Sequence, residues 1–72
     1  MGQNVGLKLG RQIKELRKEY KVTQEKLSEI TGIEYKYIQK IEGKNPPNPK
    51  LETLEKLAKA FKIPLSELVD FK

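Results

Sequence analysis

One short stretch of the chain concentrates side chains that can exchange hydrogen bonds with a ligand. Residues 34–42 read EYKYIQKIE, and their apolar members recur at helical spacing. The opposite face is polar and basic, with no carboxylate beyond Glu34 at its start: it carries Tyr35, Lys36, Gln39 and Lys40. Lysine can donate to guanine, and glutamine can pair with adenine, along the base edges that the DNA major groove exposes. The chemistry indicated is therefore recognition of base pairs.

Catalysis is a weaker interpretation of this sequence. It contains no cysteine and no histidine, which removes disulfides, the usual zinc sites and the common nucleophile–base pairs. The hydroxyl side chains stand where helix capping or a helix surface explains them: Thr23, Ser28, Thr31, Thr53 and Ser66. Glu52 and Glu55 share a helix face, but no pocket is implied there. We expect neither an enzyme nor a metal or cofactor site.

The basic face belongs to the second of two predicted helices joined by a sharp turn. Apolar residues recur at helical spacing on both sides of one glycine: Leu27, Ile30, Ile38 and Ile41. Gly32 can adopt the left-handed conformation that ends a helix, so residues 23–42 read as helix, turn, helix. Thr23 is suited to cap the first helix, and Ile33 would fill the angle between the two.

A longer helix is predicted before this unit, from about Leu7 to Tyr20. Its apolar stripe repeats at four, three and four residues: Leu9, Ile13, Leu16 and Tyr20. Arg17 follows Leu16 and lies at the edge of that stripe, where an unpaired cation would be costly. This position favours a carboxylate partner such as Glu42. Met1 to Gly6 has no periodic pattern and is expected to be frayed.

A proline-rich loop and two further helices follow the unit. Gly43 to Pro49 reads GKNPPNP and cannot continue a helix. Asn48 as a cap and Pro49 as the first helical residue predict the next helix start. Its regular apolar face predicts core packing: Leu51, Leu54, Leu57, Ala58 and Phe61. Pro64 ends this helix, and Leu65 to Val69 predicts one short final helix.

Two apolar residues at the C-terminus, Val69 and Phe71, have no assigned place in this pattern. They either cover the end of the bundle or mark a surface for self-association. Both interpretations stay open.

Length and charge limit the function classes further. Seventy-two residues make one small domain, and no apolar run is long enough for a membrane span or a signal peptide. The net charge is +5, and all of the excess lies before Leu51, where 11 basic residues face 6 acidic ones; the remainder has 4 of each. Clustered cations neutralise phosphates and supply affinity for DNA that does not depend on sequence.

Three motifs in order, TQEKLSEITGI, YIQKIEGK and LETLEKLAKAFKIPLSEL, give the chain a family resemblance. It resembles the Cro and lambda-repressor class of helix-turn-helix proteins, the Xre-like domains, from roughly Leu9 to Leu68. The resemblance implies an all-α fold, a compact five-helix bundle. It also implies one domain over residues 1–72, with an ordered core at about 7–70 and the helix-turn-helix at about 23–42.

The resemblance also implies roles for single residues. Base contacts fall to Tyr35, Lys36, Gln39 and Lys40, and contacts with the DNA backbone fall to Thr23, Gln24, Lys44 and Asn45. In the family the residue at Gln24 also braces the recognition helix, here about residues 34–42. Arg17 and Glu42 match a pair that often forms an ion pair between the first helix and the end of the recognition helix.

The function expected is that of a sequence-specific regulator of transcription that binds double-stranded DNA, in the cytoplasm of a prokaryote or encoded by a phage. One helix reads half a site, so a homodimer on an inverted repeat is expected, with half-sites about 34 Å apart. The alternative is an antitoxin or anti-repressor whose main partner is a protein. Glu34 and Tyr35 favour that alternative, because phosphates repel a carboxylate at the tip of the recognition helix unless it accepts from cytosine.

Overall fold

A computed structural model describes residues 5–71, and the regular secondary structure in this part of the chain is helical, with no strand. The helices are α1 (Val5–Tyr20), α2 (Gln24–Thr31), α3 (Tyr35–Ile41), α4 (Leu51–Ala60) and α5 (Leu65–Leu68). The expected all-α, five-helix bundle is therefore confirmed. Among the described residues, no helix combines the length and the apolar character that crossing a membrane requires.

One apolar core holds the five helices together. Its buried members are Leu9, Ile13, Leu27, Ile33, Ile38, Ile41, Leu57, Ala58, Phe61 and Leu68. Helices of 4 to 16 residues are marginal or unstable alone in water, so burial of these side chains is what stabilises them. Phe71 also packs against the core and covers its edge, whereas Val69 remains 38% exposed.

Two aliphatic residues of the predicted apolar patterns lie outside the core. Ile30 is 51% exposed and Leu51 is 65% exposed. Helix α2 buries Leu27 fully, but Ile30 lies at the edge of the core, where it lines an open hollow together with Lys56 and Lys59 of α4. Leu51 is the first residue of α4 and stands at the edge of its apolar stripe, so the core begins one turn later, at Leu54.

Two predicted helix starts were wrong. Helix α1 begins at Val5 and includes Gly6, while Met1 to Asn4 lie outside the described residues. The N-cap position of α4 is Lys50 rather than Asn48, its side chain makes no capping hydrogen bond, and residues 48 and 49 lie outside the helix. These loop residues instead line an apolar hollow beside α1, so packing outweighs a capping preference of about 1 kcal/mol.

The turns after α1 and α4 are two copies of one structure. Residues 16–27 read LRKEYKVTQEKL and residues 57–68 read LAKAFKIPLSEL, which share leucine, lysine and aromatic positions. In both copies a lysine adopts the left-handed conformation, Lys21 and Lys62 each with φ of 56°. This conformation is rare for residues other than glycine and ends each helix sharply.

The hydrogen bonds that close the two turns are also the same. The N–H after each lysine donates to a carbonyl five residues earlier: Val22 to Arg17 at 2.8 Å, and Ile63 to Ala58 at 3.1 Å. This is the Schellman pattern of helix termination. It directs the chain into α2 in one copy and into α5 in the other.

The aromatic residues of the two turns contact each other. The ring centroids of Tyr20 and Phe61 lie 5.6 Å apart, tilted by 58°, a favourable arrangement for an aromatic pair. Phe61 is fully buried, but Tyr20 is 47% exposed and covers the core rather than entering it, contrary to its predicted place in the α1 stripe. The ends of α1 and α4 are therefore joined at this point.

Gly10 allows α1 to lie directly against the end of α3. It is buried, and a Cβ at this position would overlap the carbonyl oxygen of Ile41 and approach Cα of Glu42 to 3.2 Å. Glycine inside a helix costs about 0.5–1 kcal/mol relative to alanine. The close approach of the two backbones is what the missing side chain permits.

Candidate nucleic-acid interface

Helix α3 buries one face and exposes the other. Ile38 and Ile41 are buried and Tyr37 is half-buried against the core, as expected. The outward face consists of Tyr35, Lys36, Gln39 and Lys40, all exposed. Their spacing of three and four residues places them next to one another in one stripe. The stripe presents two ammonium groups, an amide and a phenol, with no carboxylate among them.

The C-terminal end of α3 is fixed by a bidentate ion pair. Nε of Arg17 donates to Oε2 of Glu42 at 2.7 Å, and Nη2 donates to Oε1 at 2.8 Å. The side chains are only 13% and 5% exposed. The hydrogen bond to Glu42 raises the pKa of the Arg17 guanidinium, against the smaller lowering effect of burial. The pair predicted between the first helix and the end of α3 is thus formed.

Two further hydrogen bonds complete this cluster. Nε2 of Gln24 donates to Oε1 of Glu42 at 3.1 Å, so the first residue of α2 also holds the end of α3. Nη1 of Arg17 donates to the carbonyl of Val22 at 3.0 Å, in the turn before α2. The cluster of Arg17, Gln24 and Glu42 therefore links α1, α2 and α3. No buried polar side-chain atom lacks a partner in the part of the chain described.

The turn between α2 and α3 is closed by three hydrogen bonds around Gly32. Gly32 has φ of 78°, as its predicted role requires, and its N–H donates to the carbonyl of Ser28 at 2.8 Å. The hydroxyl of Ser28 donates to the carbonyl of Ile33 at 2.5 Å, and the N–H of Ile33 donates to Oγ1 of Thr31 at 3.1 Å. These bonds determine the direction in which α3 leaves the turn.

The N-terminus of α2 lies beside the start of α3. Oγ1 of Thr23 accepts from the N–H of Lys26 at 3.0 Å, which confirms the predicted cap. The N–H groups of Gln24 and Glu25 have no partner within the helix, because the first turn of any helix leaves such donors free. An open hollow here is lined by Arg17, Thr23, Gln24, Glu25 and Tyr35. Such an N-terminus favours an anion.

The predicted site residues outside the stripe and the Thr23 cap fall into two groups. Arg17, Gln24 and Glu42 are in direct contact. The side-chain amide of Gln24, which was predicted to contact the DNA backbone, donates a hydrogen bond to Glu42. Lys44 and Asn45 are exposed in the loop that follows α3, apart from that cluster. The close packing at Gly10 was not predicted, although a glycine inside a strong helical pattern indicates such a contact. The hydrogen bond from the Ser28 hydroxyl to the turn was not predicted either, because no feature of the sequence indicates it.

The geometry above is that of two helices at a fixed turn with one basic face outward. A family model described as a helix-turn-helix domain matches residues 10–71. The chain is a member of this helix-turn-helix family. The regulators of the family are not enzymes, and the expected resemblance to Cro and lambda repressor is confirmed.

A relative of this helix-turn-helix protein is known by sequence. The present chain is 38% identical over 60 residues to the uncharacterized HTH-type transcriptional regulator RghRB of Bacillus subtilis (strain 168). The aligned region covers 83% of this chain and 43% of that protein. The chain therefore spans less than half the length of the curated relative it matches.

Two solved structures share the whole fold of this helix-turn-helix protein. The restriction-modification controller protein C.AhdI from Aeromonas hydrophila superposes with a TM-score of 0.81 at 32% identity, covering 88% of this chain and 94% of that one. A point mutant of the restriction-modification controller protein C.Esp1396I superposes with a TM-score of 0.80 at 26% identity, covering 96% and 90%. This helix-turn-helix protein thus has a lambda-repressor-like fold.

Proposed function

We propose that this protein binds an inverted-repeat operator as a homodimer and regulates transcription from it, with α3 of each copy in the major groove. The observation that carries the proposal is the outward stripe of α3, which is basic, free of carboxylates and held at both ends. Lys36 and Lys40 would donate to guanine, and Gln39 would pair with adenine. Tyr35, at the start of the stripe, would reach a neighbouring base edge.

Contacts with the DNA backbone would set the position of α3. The free N–H groups at the start of α2, next to Thr23 and Gln24, suit a phosphate because the helix dipole adds to their donors. Lys44 and Asn45 would contact the backbone beyond the other end of α3. Such contacts orient the protein but do not read sequence.

A dimer follows from the length of the reading surface. One α3 spans 7 residues and contacts a few base pairs only, so useful specificity requires two copies on half-sites about 34 Å apart. Val69, exposed beside Phe71, belongs to an apolar hollow that also includes Val5 and Pro47. This hollow is where we expect the copies to meet, and sedimentation equilibrium of the free protein would measure their association.

Selection of bound sequences from a randomised duplex pool, near physiological salt, tests the proposal. An inverted repeat is the expected result, because two symmetric copies read the same half-site in opposite directions. A single half-site would contradict the dimer. Recovery of no motif from a folded protein would contradict sequence reading and favour a protein partner, as in an antitoxin or anti-repressor.

Lys40→Ala, tested on the selected duplex, examines the stripe itself. If Lys40 donates to a base, the variant should lose about 1–3 kcal/mol of binding free energy and tolerate substitutions at one base pair. Lys44→Ala is the matched control, since loss of a backbone contact should weaken every sequence equally. Equal weakening of all sequences by Lys40→Ala would contradict its assignment to a base.

A further inference from the structure

We propose that Arg11 and Lys14 of α1 form a second phosphate-binding surface, which holds a DNA strand beside the C-terminal end of α3. We call this pair the α1 basic surface. The proposal rests on the proposed function, because it extends the same DNA interface onto the N-terminal half of α1.

The α1 basic surface lines a hollow between α1 and the end of α3. The residues around this hollow are Leu7, Gly10, Arg11, Lys14, Glu42 and Gly43. Because Gly10 lies against the carbonyl of Ile41, the neighbouring basic side chains stand where the chain leaves α3. Arg11 and Lys14 are three residues apart, so they project from one side of α1 and can contact the same ligand.

The charge around the hollow favours an anion. Arg11 and Lys14 are exposed, and neither forms an ion pair with any residue between positions 5 and 71. Glu42 is the acidic residue that lines the hollow, but its two oxygens already accept from Arg17 and Gln24. Glu15 and Asp70 share a separate hollow with Arg11, and neither forms an ion pair with it. The charge of Glu42 is therefore balanced locally, and the two outer cations remain available to a phosphate.

The position of the hollow favours a DNA strand over a small anion. The hollow at the start of α2 lies beside Tyr35, at one end of α3, and the α1 basic surface lies beside Gly43, at the other. Seven residues of helix extend over about 10 Å, close to the roughly 12 Å width of the major groove. The two surfaces can thus meet the two strands that border one groove. Lys44, the next residue along the loop, adds a third cation at the same end.

The salt dependence of binding tests this inference. Arg11→Gln/Lys14→Gln removes both charges and keeps much of the side-chain volume. Lys56→Gln/Lys59→Gln is the matched control: it removes two exposed charges at the same spacing, beside Ile30 and Thr31 at the far end of α2. Binding constants are measured by fluorescence anisotropy over a range of salt, on a duplex of the selected sequence and on a mixed-sequence duplex. Circular dichroism checks that both variants fold.

The expected result is a salt slope that is smaller by about 1.8 for the α1 variant, since each phosphate contact releases about 0.9 counterion. Affinity at 0.1 M salt should fall by up to about 60-fold on both duplexes, with the selected motif unchanged. The inference would be overturned if the salt slope of the α1 variant were equal to that of the control. The mixed-sequence duplex separates this outcome from a failure of the proposed function, because phosphate contacts persist where no motif is read.

Discussion

Removal of the Glu42 carboxylate should destabilise the whole domain, because three helices meet at this side chain. Glu42→Ala deletes the acceptor of three hydrogen bonds, two from Arg17 and one from Gln24. The Arg17 side chain, 13% exposed, then retains only the hydrogen bond from its guanidinium to the carbonyl of Val22. The variant therefore keeps a nearly buried cation without its counter-charge, which is the costly case for an ion pair.

The magnitude follows from the burial of the pair. Exposed ion pairs contribute about 0–1 kcal/mol, and breaking a fully buried pair costs about 3–5 kcal/mol. Glu42 is 5% exposed but the guanidinium reaches solvent, so we expect a loss of about 2–3 kcal/mol. A domain of 72 residues has a free energy of unfolding of about 4–11 kcal/mol, so the variant should still fold. Its Tm should fall by roughly 10–20 °C.

Urea and thermal unfolding followed by circular dichroism measure this loss. Glu29→Ala is the control, because Glu29 forms an exposed pair with Lys26, 3.7 Å apart, and its removal should change stability by less than about 0.5 kcal/mol. Arg17→Met/Glu42→Leu should recover much of the loss, since apolar residues of similar size remove the stranded charge. If Glu42→Ala unfolds like Glu29→Ala, the reasoning about this cluster is refuted.

The same pair sets an expectation for pH. The pKa of Arg17 is raised above the ordinary arginine pKa, which is already high. The guanidinium therefore stays protonated up to that ordinary pKa, and the stability that the ion pair contributes is lost only at higher pH. The coupling free energy between Arg17 and Glu42, from a double-mutant cycle, should therefore be equal at about pH 7 and about pH 10. A decline over that interval would contradict the assignment of the charge.

Three further substitutions test the packing and the turns. Gly10→Ala should lose about 1–3 kcal/mol of stability, because the new Cβ overlaps the backbone of Ile41; a gain would mean that α1 can shift outward without cost. Lys62→Gly should stabilise the protein by about 0.5–1 kcal/mol, because glycine adopts the left-handed conformation without strain. Lys59→Gly, inside α4, should destabilise it by a similar amount. If both substitutions changed the free energy of unfolding in the same direction, this explanation would be contradicted. Thr23→Ala should cost about 1 kcal/mol through loss of the α2 cap, and an unchanged urea midpoint would show that the cap contributes nothing.

Features that depend on neighbouring residues in the sequence could be predicted. Thr23 as a cap and Gly32 in the left-handed conformation are properties of single residues in their local pattern, and both were right. The ion pair of Arg17 and Glu42 spans 25 residues, yet a cation at the edge of an apolar stripe signalled that a partner was needed. The assignment of bases to Tyr35, Lys36, Gln39 and Lys40 stays a prediction.

Features that depend on packing between distant segments could not be predicted. Asn48 and Pro49 carry a strong local signal for a helix start, but their packing beside α1 places them in the loop. Leu51 fits the apolar period of α4, but the period does not show where the core ends. The role of Gly10 requires knowledge that the backbone of α3 passes beside it. Sequence periodicity contains no information on that contact.

The shortness of α3 explains why its anchors matter more than its own sequence. Seven residues cannot form a stable helix in water, because nucleation costs more than so few hydrogen bonds return. The helix therefore depends on Ile38 and Ile41 in the core, the bonded turn at Gly32 before it and the Glu42 cluster after it. Its exposed stripe contributes little to this stability, since surface substitutions usually change it by less than about 0.5 kcal/mol. Base preference can thus vary along the stripe while the position of α3 stays fixed.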